Sequence, residues 1–317
     1  MSPHVEIEST RSLAGAVGGT FWGWEIPVYL FLGGLVAGLL VTVSAAVLVR
    51  GRERVTPAMR TGLVLAPVLL GLGMGALFLD LTYKAHVFRF YTAFRPTSPM
   101  SWGSWILLLV VPVQLGLIAA LPPRWLAERV ESFRSLRRWA SIVRFCESHV
   151  KGLAVAGVTA GAALGVYTGI LLSATVARPL WSSGALGALF LASGTSTGIA
   201  ALMLMEREHE SHESLARLDI VVIGVEVALL AMWIIGLLGQ GPVYREAAAR
   251  LLDGSFAPAF LGIVVFGGLL VPAALEVMAL RGRAMTSRSV PALVLLGGFL
   301  LRVVVVYAGQ MGGFVRA

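Results

Sequence analysis

Eight stretches of the chain, near residues 25–49, 61–83, 102–121, 151–175, 184–204, 218–239, 257–280 and 290–311, are apolar over the length a helix needs to cross a bilayer. That length is ~20 residues, set by a hydrocarbon layer of roughly 30 Å and a helical rise of about 1.5 Å per residue. Inside that layer no water bonds to exposed amides, so each crossing segment must satisfy its own backbone, and helix does so. Only 13% of the residues are charged against 57% hydrophobic, whereas a soluble domain carries about 25% charged residues. The expectation is an all-α integral membrane protein, one domain over residues 1–317 with about eight transmembrane helices in two four-helix bundles. Residues 1–145 supply the first helices and an interfacial segment, and residues 146–317 supply the rest. Residues 1–24 lack an apolar core of their own and are not expected to be a signal peptide.

Orientation follows from the basic residues, which favour the cytoplasmic side of short loops. If the connections alternate sides, those at 50–60, 122–151, 205–217 and 281–289 hold sixteen of the 25 Lys and Arg residues. The opposite side, with both termini and the connections 84–100, 176–183 and 240–256, holds eight; Arg302 lies within a span. Both termini are therefore expected outside, on the periplasmic face of a bacterial inner membrane. The net charge of +8 then reflects anchoring at the inner face, and no basic stripe with interleaved aromatics suggests nucleic acid.

The longest inner connection, Arg124 to Lys151, spaces Trp125, Leu126, Val130, Phe133, Leu136 and Val143 at roughly helical intervals among arginines. That pattern fits an amphipathic helix in the headgroup layer, with a solvated linker as the alternative. Gly157, Gly161, Gly165 and Gly169 fall every four residues on the fourth span, and the pairs Gly34/Gly38 and Gly194/Gly198 repeat the spacing. Such small-residue ridges let helix backbones approach closely in a membrane.

The redox equipment within the chain is sparse. One cysteine, Cys146, cannot hold an iron–sulfur cluster, which needs about four ligands. The five histidines, His4, His86, His149, His209 and His212, all fall in terminal or connecting segments, so no pair faces across the spans to hold a haem. His209 and His212 lie in Glu206-Arg-Glu-His-Glu-Ser-His-Glu213, where a solvated charged loop is the better reading than a metal site.

Polar groups inside a bilayer are costly, which makes them candidates for function. Glu25 and Tyr29 open the first span on one helical face, Asp80 closes the second, and Tyr167 lies near the outer end of the fourth. The latter half carries Asp219, Glu226, Glu276 and Arg302. Glu226 and Arg302 lie deep enough that mutual neutralisation, directly or through water, is expected. Asp219 and Glu276 lie near inner ends, where Arg217, Arg281 or Arg283 could pair with them. The four form either a structural ion-pair set or part of a proton pathway.

Several segments also resemble a known family. Trp22-Gly-Trp-Glu-Ile-Pro-Val-Tyr-Leu-Phe-Leu-Gly-Gly34 is similar to the opening helix of the NrfD/polysulfide reductase membrane subunits. Phe94-Arg-Pro-Thr-Ser-Pro-Met-Ser-Trp-Gly-Ser-Trp105 resembles that family's approach to the third helix. Tyr167-Thr-Gly-Ile-Leu-Leu-Ser173 with Arg178-Pro-Leu-Trp181 resembles its fourth-helix signature, and Leu301-Arg-Val-Val-Val-Val-Tyr-Ala-Gly-Gln310 its last helix. The resemblance implies a subunit with no haem or cluster of its own that binds a quinone or quinol, menaquinone or ubiquinone, near the outer face. It also implies a ferredoxin-like [4Fe–4S] partner, joined in turn to a molybdopterin enzyme or a multihaem cytochrome. Carried over by motif, the quinone site falls on Glu25, Tyr29 and Tyr167, with a carboxylate and a phenol where that relative has an amide and an imidazole. Asp80 shares their depth.

Quinone chemistry needs an apolar cleft with groups that give or take protons at two ring oxygens. Tyrosine and carboxylate side chains can do this. Arg95, Trp102, Arg178 and Trp181 on outer connections are candidates for docking the partner, or ordinary interface anchors. Two rival classes remain: a secondary transporter or channel, for which no internal repeat or matched broken helices are found, and a membrane anchor without quinone chemistry. The charge asymmetry makes a direct prediction. Alkaline phosphatase fused after Ala317 is expected to be active and green fluorescent protein fused there dark, and the reverse result would invert the topology.

Overall fold

The computed structural model describes residues 22–81, 84, 87–92, 94–132, 140–174, 178–283 and 288–311. His4, His86, Phe133 and Leu136, named above, lie outside them. The eight apolar helices long enough to span are α1 (Glu25–Arg50), α2 (Pro57–Asp80), α3 (Pro99–Ala120), α4 (Val150–Ser173), α5 (Ala185–Met205), α6 (His209–Gly239), α7 (Pro258–Leu280) and α8 (Ser289–Gln310). α1, α4 and α8 match their expected limits to within a turn.

The ends that shift do so for local reasons. α2 starts at Pro57 because Thr56 caps it, its hydroxyl accepting from the Met59 amide at 3.2 Å, and proline suits the first helical position. α6 begins at His209, over two turns earlier than its apolar run. There Glu213 pairs with His209 at 3.2 Å and with Arg217 at 3.1 Å, both at the i,i+4 spacing that supports exposed helix. The charged stretch expected as a solvated loop is thus partly the first turns of a helix. The connection after α6 folds into a further helix, Pro242–Leu252, and α7 is wound as π-helix over Pro258–Leu270 before continuing as α-helix. The long connection after α3 carries two short helices, Arg124–Ser132 and Ala140–Ser148, with Trp125, Ile142 and Phe145 exposed.

α1 to α4 pack as one group and α5 to α8 as another, and the two join through α1, α4 and α8 against one another and α5. The joint is made by glycine. A Cβ on Gly38 would overlap the Gly194 carbonyl, one on Gly198 would overlap Gly38, and one on Gly34 would stand 3.6 Å from the Gly194 Cα. The glycines of α4 do the same work: Gly161 faces Ala37 and Val41 of α1, Gly165 faces Leu191 and Gly169 faces the Leu186 backbone of α5. Three helices are thereby held at backbone contact.

The start of α1 and the end of α8 meet at one face, called here the terminal face. The Trp22 amide donates to Gln310 Oε1 at 2.8 Å, and Gln310 Nε2 donates back to the Trp22 carbonyl at 3.2 Å. Replacing Gly194 with Leu is expected to separate α1 from α5 and abolish the monodisperse peak in detergent gel filtration. Gly71→Leu, where nothing lies within 4 Å of an added Cβ, is expected to leave that peak unchanged.

Candidate functional site

Towards the terminal face, α1 to α4 part around a cleft of about 570 Å³, its open mouth included. Tyr29 comes from α1, Met74, Leu77 and Phe78 from α2, and Met100, Gly103, Ser104 and Leu107 from α3. Tyr167 and Leu171 of α4 complete one wall, while Leu81, Val87 and Tyr91 of the connection after α2 close over the top. The wall is apolar except for three phenols and one hydroxyl, a composition suited to a flat apolar molecule with a few polar atoms. Gly73 lets the α1 backbone come close, an added Cβ standing 3.3 Å from Leu32 and 3.8 Å from the Tyr29 carbonyl.

Tyr29 and Tyr167 are buried and their side chains interact, with Tyr91 also near Tyr29. Tyr91 lies outside the spans, and partial burial pushes its phenol above the ordinary range. Its hydroxyl therefore stays protonated at neutral pH and is able to donate.

Of the four residues expected at this site, the structure brings two together. Glu25 does not line the cleft: its carboxylate folds back over Gly23 at the start of α1. Asp80, partly buried at the end of α2, is also absent from the lining. The carboxylate in the first turn of α1 sits where the helix dipole favours it. Tyr91 and Ser104 join the site without having been expected there. Ser104 stands inside the Phe94–Trp105 segment that resembles the family, whereas Tyr91 is on an irregular connection where periodicity gives no signal.

The second polar group forms a line between α5, α6, α7 and α8. Arg302 is fully buried; its guanidinium donates to Ser193 Oγ at 2.5 Å, to the Gly298 carbonyl at 2.8 Å and to the Phe190 carbonyl at 3.2 Å. It also lies over the Phe190 ring at 5.0 Å. Glu226 reaches the same Ser193 from α6. The expected direct neutralisation is thus replaced, among the described residues, by a shared serine hydroxyl, with no Glu226–Arg302 contact within 4.0 Å.

Asp219 lies seven residues before Glu226, two helical turns away on the same face. It accepts from Ser196 Oγ at 2.7 Å and lies beside Glu276 of α7. Both acids are buried, at 0% and 3% exposure, so the expected pairing with Arg217, Arg281 or Arg283 is corrected: their surroundings are Ser196 and each other. Arg217 instead pairs with Glu213.

This geometry stands beside a family match. The model of the family described as "Polysulphide reductase, NrfD" matches residues 13–312. The chain belongs to that family. It is 32% identical over 303 residues to the C subunit of polysulfide reductase from Wolinella succinogenes, covering 91% of this protein and 94% of that one. It is 32% identical over 320 residues to protein NrfD of Escherichia coli K12, covering 92% and 95%. It is 29% identical over 311 residues to the NrfD homologue of Haemophilus influenzae, covering 92% and 94%.

In this NrfD-family protein the four docking candidates divide. Arg178 and Trp181, expected on the surface, are 1% and 0% exposed. Arg178 Nη1 donates to the Gln310 carbonyl, Trp181 Nε1 donates to the Val305 carbonyl at 2.8 Å, and the Trp181 ring stacks on Trp22 at 5.2 Å. Both side chains fasten the α4–α5 connection to the end of α8 and offer nothing to a partner. Arg95 and Trp102 are exposed beside the cleft, the indole donating to the Pro96 carbonyl at 2.8 Å. Phe94 packs edge-on against Trp102 and Trp105, making an aromatic rim there. No group of three or more His, Cys, Asp or Glu gathers to hold a metal ion among the described residues.

Proposed function

We propose that this protein is the quinone-reactive membrane subunit of a multi-subunit respiratory oxidoreductase. The observation that carries the reading is the apolar cleft between α1 and α4 with the Tyr29 and Tyr167 phenols meeting in its wall and Tyr91 beside them. A quinone ring presents two oxygens separated by an apolar body, and phenols both donate to and accept from such oxygens. Quinol oxidation releases two protons and two electrons; the phenols hold and orient the ring oxygens through which the protons leave. Membership of the NrfD family supports the reading, and the relative named as a polysulfide reductase subunit belongs to the same class.

The electrons pass to or from a ferredoxin-like [4Fe–4S] subunit at the terminal face, which connects to a molybdopterin or multihaem catalytic subunit. Arg95 and Trp102 lie exposed at the rim of the cleft, where a docked partner would bring its nearest cluster close to the quinone. In this reading the terminal face is periplasmic and the protein resides in the bacterial inner membrane. Tyr167→Phe is expected to lower quinol-dependent electron transfer by on the order of 10²-fold in the purified complex, the loss typical of a removed proton-transfer group. Glu25→Gln is expected to change it little. Full activity in Tyr167→Phe would leave the anchor reading standing.

The line of Arg302, Ser193, Glu226, Asp219, Ser196 and Glu276 is proposed as a proton pathway towards the opposite face. Its support is position. The Arg302 guanidinium lies against Gly34 of α1, ~7.5 Å of helix rise inward of Tyr29, and the acids continue from there. Glu226→Gln is expected to leave electron transfer measurable in detergent but to abolish the membrane potential generated by the complex in vesicles. An unchanged potential would exclude this route.

A further inference from the structure

The buried glycine of α3 differs from the other packing glycines in what it faces. At Gly38, Gly169 and Gly198 the atoms nearest an added Cβ are backbone atoms of a neighbouring helix, so those glycines set the distance between helices. At Gly103 all three nearest atoms belong to the far end of one side chain. A Cβ there would overlap Oη and Cζ of Tyr167 and stand 2.5 Å from its Cε1. The missing side chain is therefore matched to a phenol and not to a helix.

We infer that Gly103 is a positioning residue for the quinone reaction, leaving the gap in α3 through which the Tyr167 hydroxyl reaches the cleft beside Tyr29. The inference rests on the quinone reading above. A methyl group at 103 and the phenol cannot share the space, so either α3 or the ring must move. α3 is held along the rest of its length: Val110, Leu117 and Ala120 are fully buried in the core, and Leu153 of α4 packs on Gly116 with 3.0 Å to an added Cβ.

The ring has somewhere to go. Tyr167 also borders a second, apolar groove on the α3–α4 seam, formed with Pro96, Trp102, Ile106, Val166 and Ile170. Tyrosine turns about two side-chain torsions as a rigid plate. Displacement towards that groove carries the hydroxyl away from Tyr29 without removing any polar atom. Gly103→Ala thus reproduces the chemical loss of Tyr167→Phe through geometry alone.

The test uses the complete complex with 2,3-dimethyl-1,4-naphthoquinol as electron donor, comparing Gly103→Ala, Tyr167→Phe and the double variant Gly103→Ala/Tyr167→Phe. Gly103→Ala is expected to lower kcat by on the order of 10²-fold, and the double variant to be no slower than Tyr167→Phe alone, as for two changes acting through one hydroxyl. Wild-type kcat and KM in Gly103→Ala, or losses that multiply in the double variant, would overturn the inference while leaving the quinone reading intact. Full activity in Tyr167→Phe would instead remove the reading itself. If Gly103→Ala fails to assemble, Gly103→Ala/Tyr167→Ala, which deletes the opposing ring, is expected to restore the assembled complex. Failure of that rescue would show that residue 103 does not act through Tyr167.

Discussion

Helices in a bilayer gain nothing from hiding apolar side chains from water, since lipid tails are equally apolar; they associate by close packing and by hydrogen bonds between them. Here the closest packing is the contact of α1 with α5 at Gly34, Gly38, Gly194 and Gly198, reinforced by the glycine ridge of α4. Everything of functional interest hangs from it. α1 carries Tyr29 towards the cleft on one side and presents Gly34 to the Arg302 guanidinium on another. α5 carries Ser193 and Ser196, the two hydroxyls around which the buried charges of α6, α7 and α8 are arranged. A side chain at the crossing would move the phenol pocket and the charged line apart together.

Burying an arginine is tolerable only when the surroundings replace its water. Arg302 finds two carbonyls, a serine hydroxyl and an aromatic face, and glycines at 34 and 298 make room for it. The carbonyls at Gly298 and Phe190 are helix carbonyls, so the guanidinium is sharing acceptors with the backbone. That arrangement needs α5 and α8 at a fixed spacing, which ties the placement of the charge to the glycine crossing. It also leaves Glu226 able to approach the shared serine without being locked to the guanidinium by a direct bridge. An acid held this way keeps its capacity to exchange a proton, which a tightly bridged carboxylate would lose.

The eight spans are readable in the sequence because the bilayer imposes one length and one kind of residue on each, and the glycine ridges because their four-residue spacing survives folding unchanged. The same regularity places Tyr29 and Tyr167 at one depth. Which way a side chain turns is not readable. Glu25 shares a helical face with Tyr29 in sequence, yet its carboxylate turns back over Gly23. Arg178 and Trp181 read as loop residues, but the end of α8 passes over their connection and draws both inside, a contact between positions over 120 residues apart. Tyr91 lies on a connection without periodicity, so only the assembled cleft reveals it. Depth places Asp219 and Glu276 near one end of their helices, but depth does not tell that α6 and α7 turn them towards each other.

The distribution of chemistry over the molecule bears on how such a subunit can work. The cleft belongs wholly to the first group of helices and their connection, and the buried acids wholly to the second. Phenols suit the cleft because a neutral donor serves both the oxidised and the reduced ring, whereas a fixed charge beside a quinone would favour one state over the other. The ionisable groups are accordingly set back, reached only across the α1–α5–α8 junction where Arg302 stands. A proton leaving the cleft towards the opposite face must therefore cross the glycine crossing itself. The closest packing in the molecule and its only fully buried arginine among the described residues of the spans occupy the same place. The consequence is that the junction acts on both processes: it holds the phenols in register and sets what can pass between the two halves.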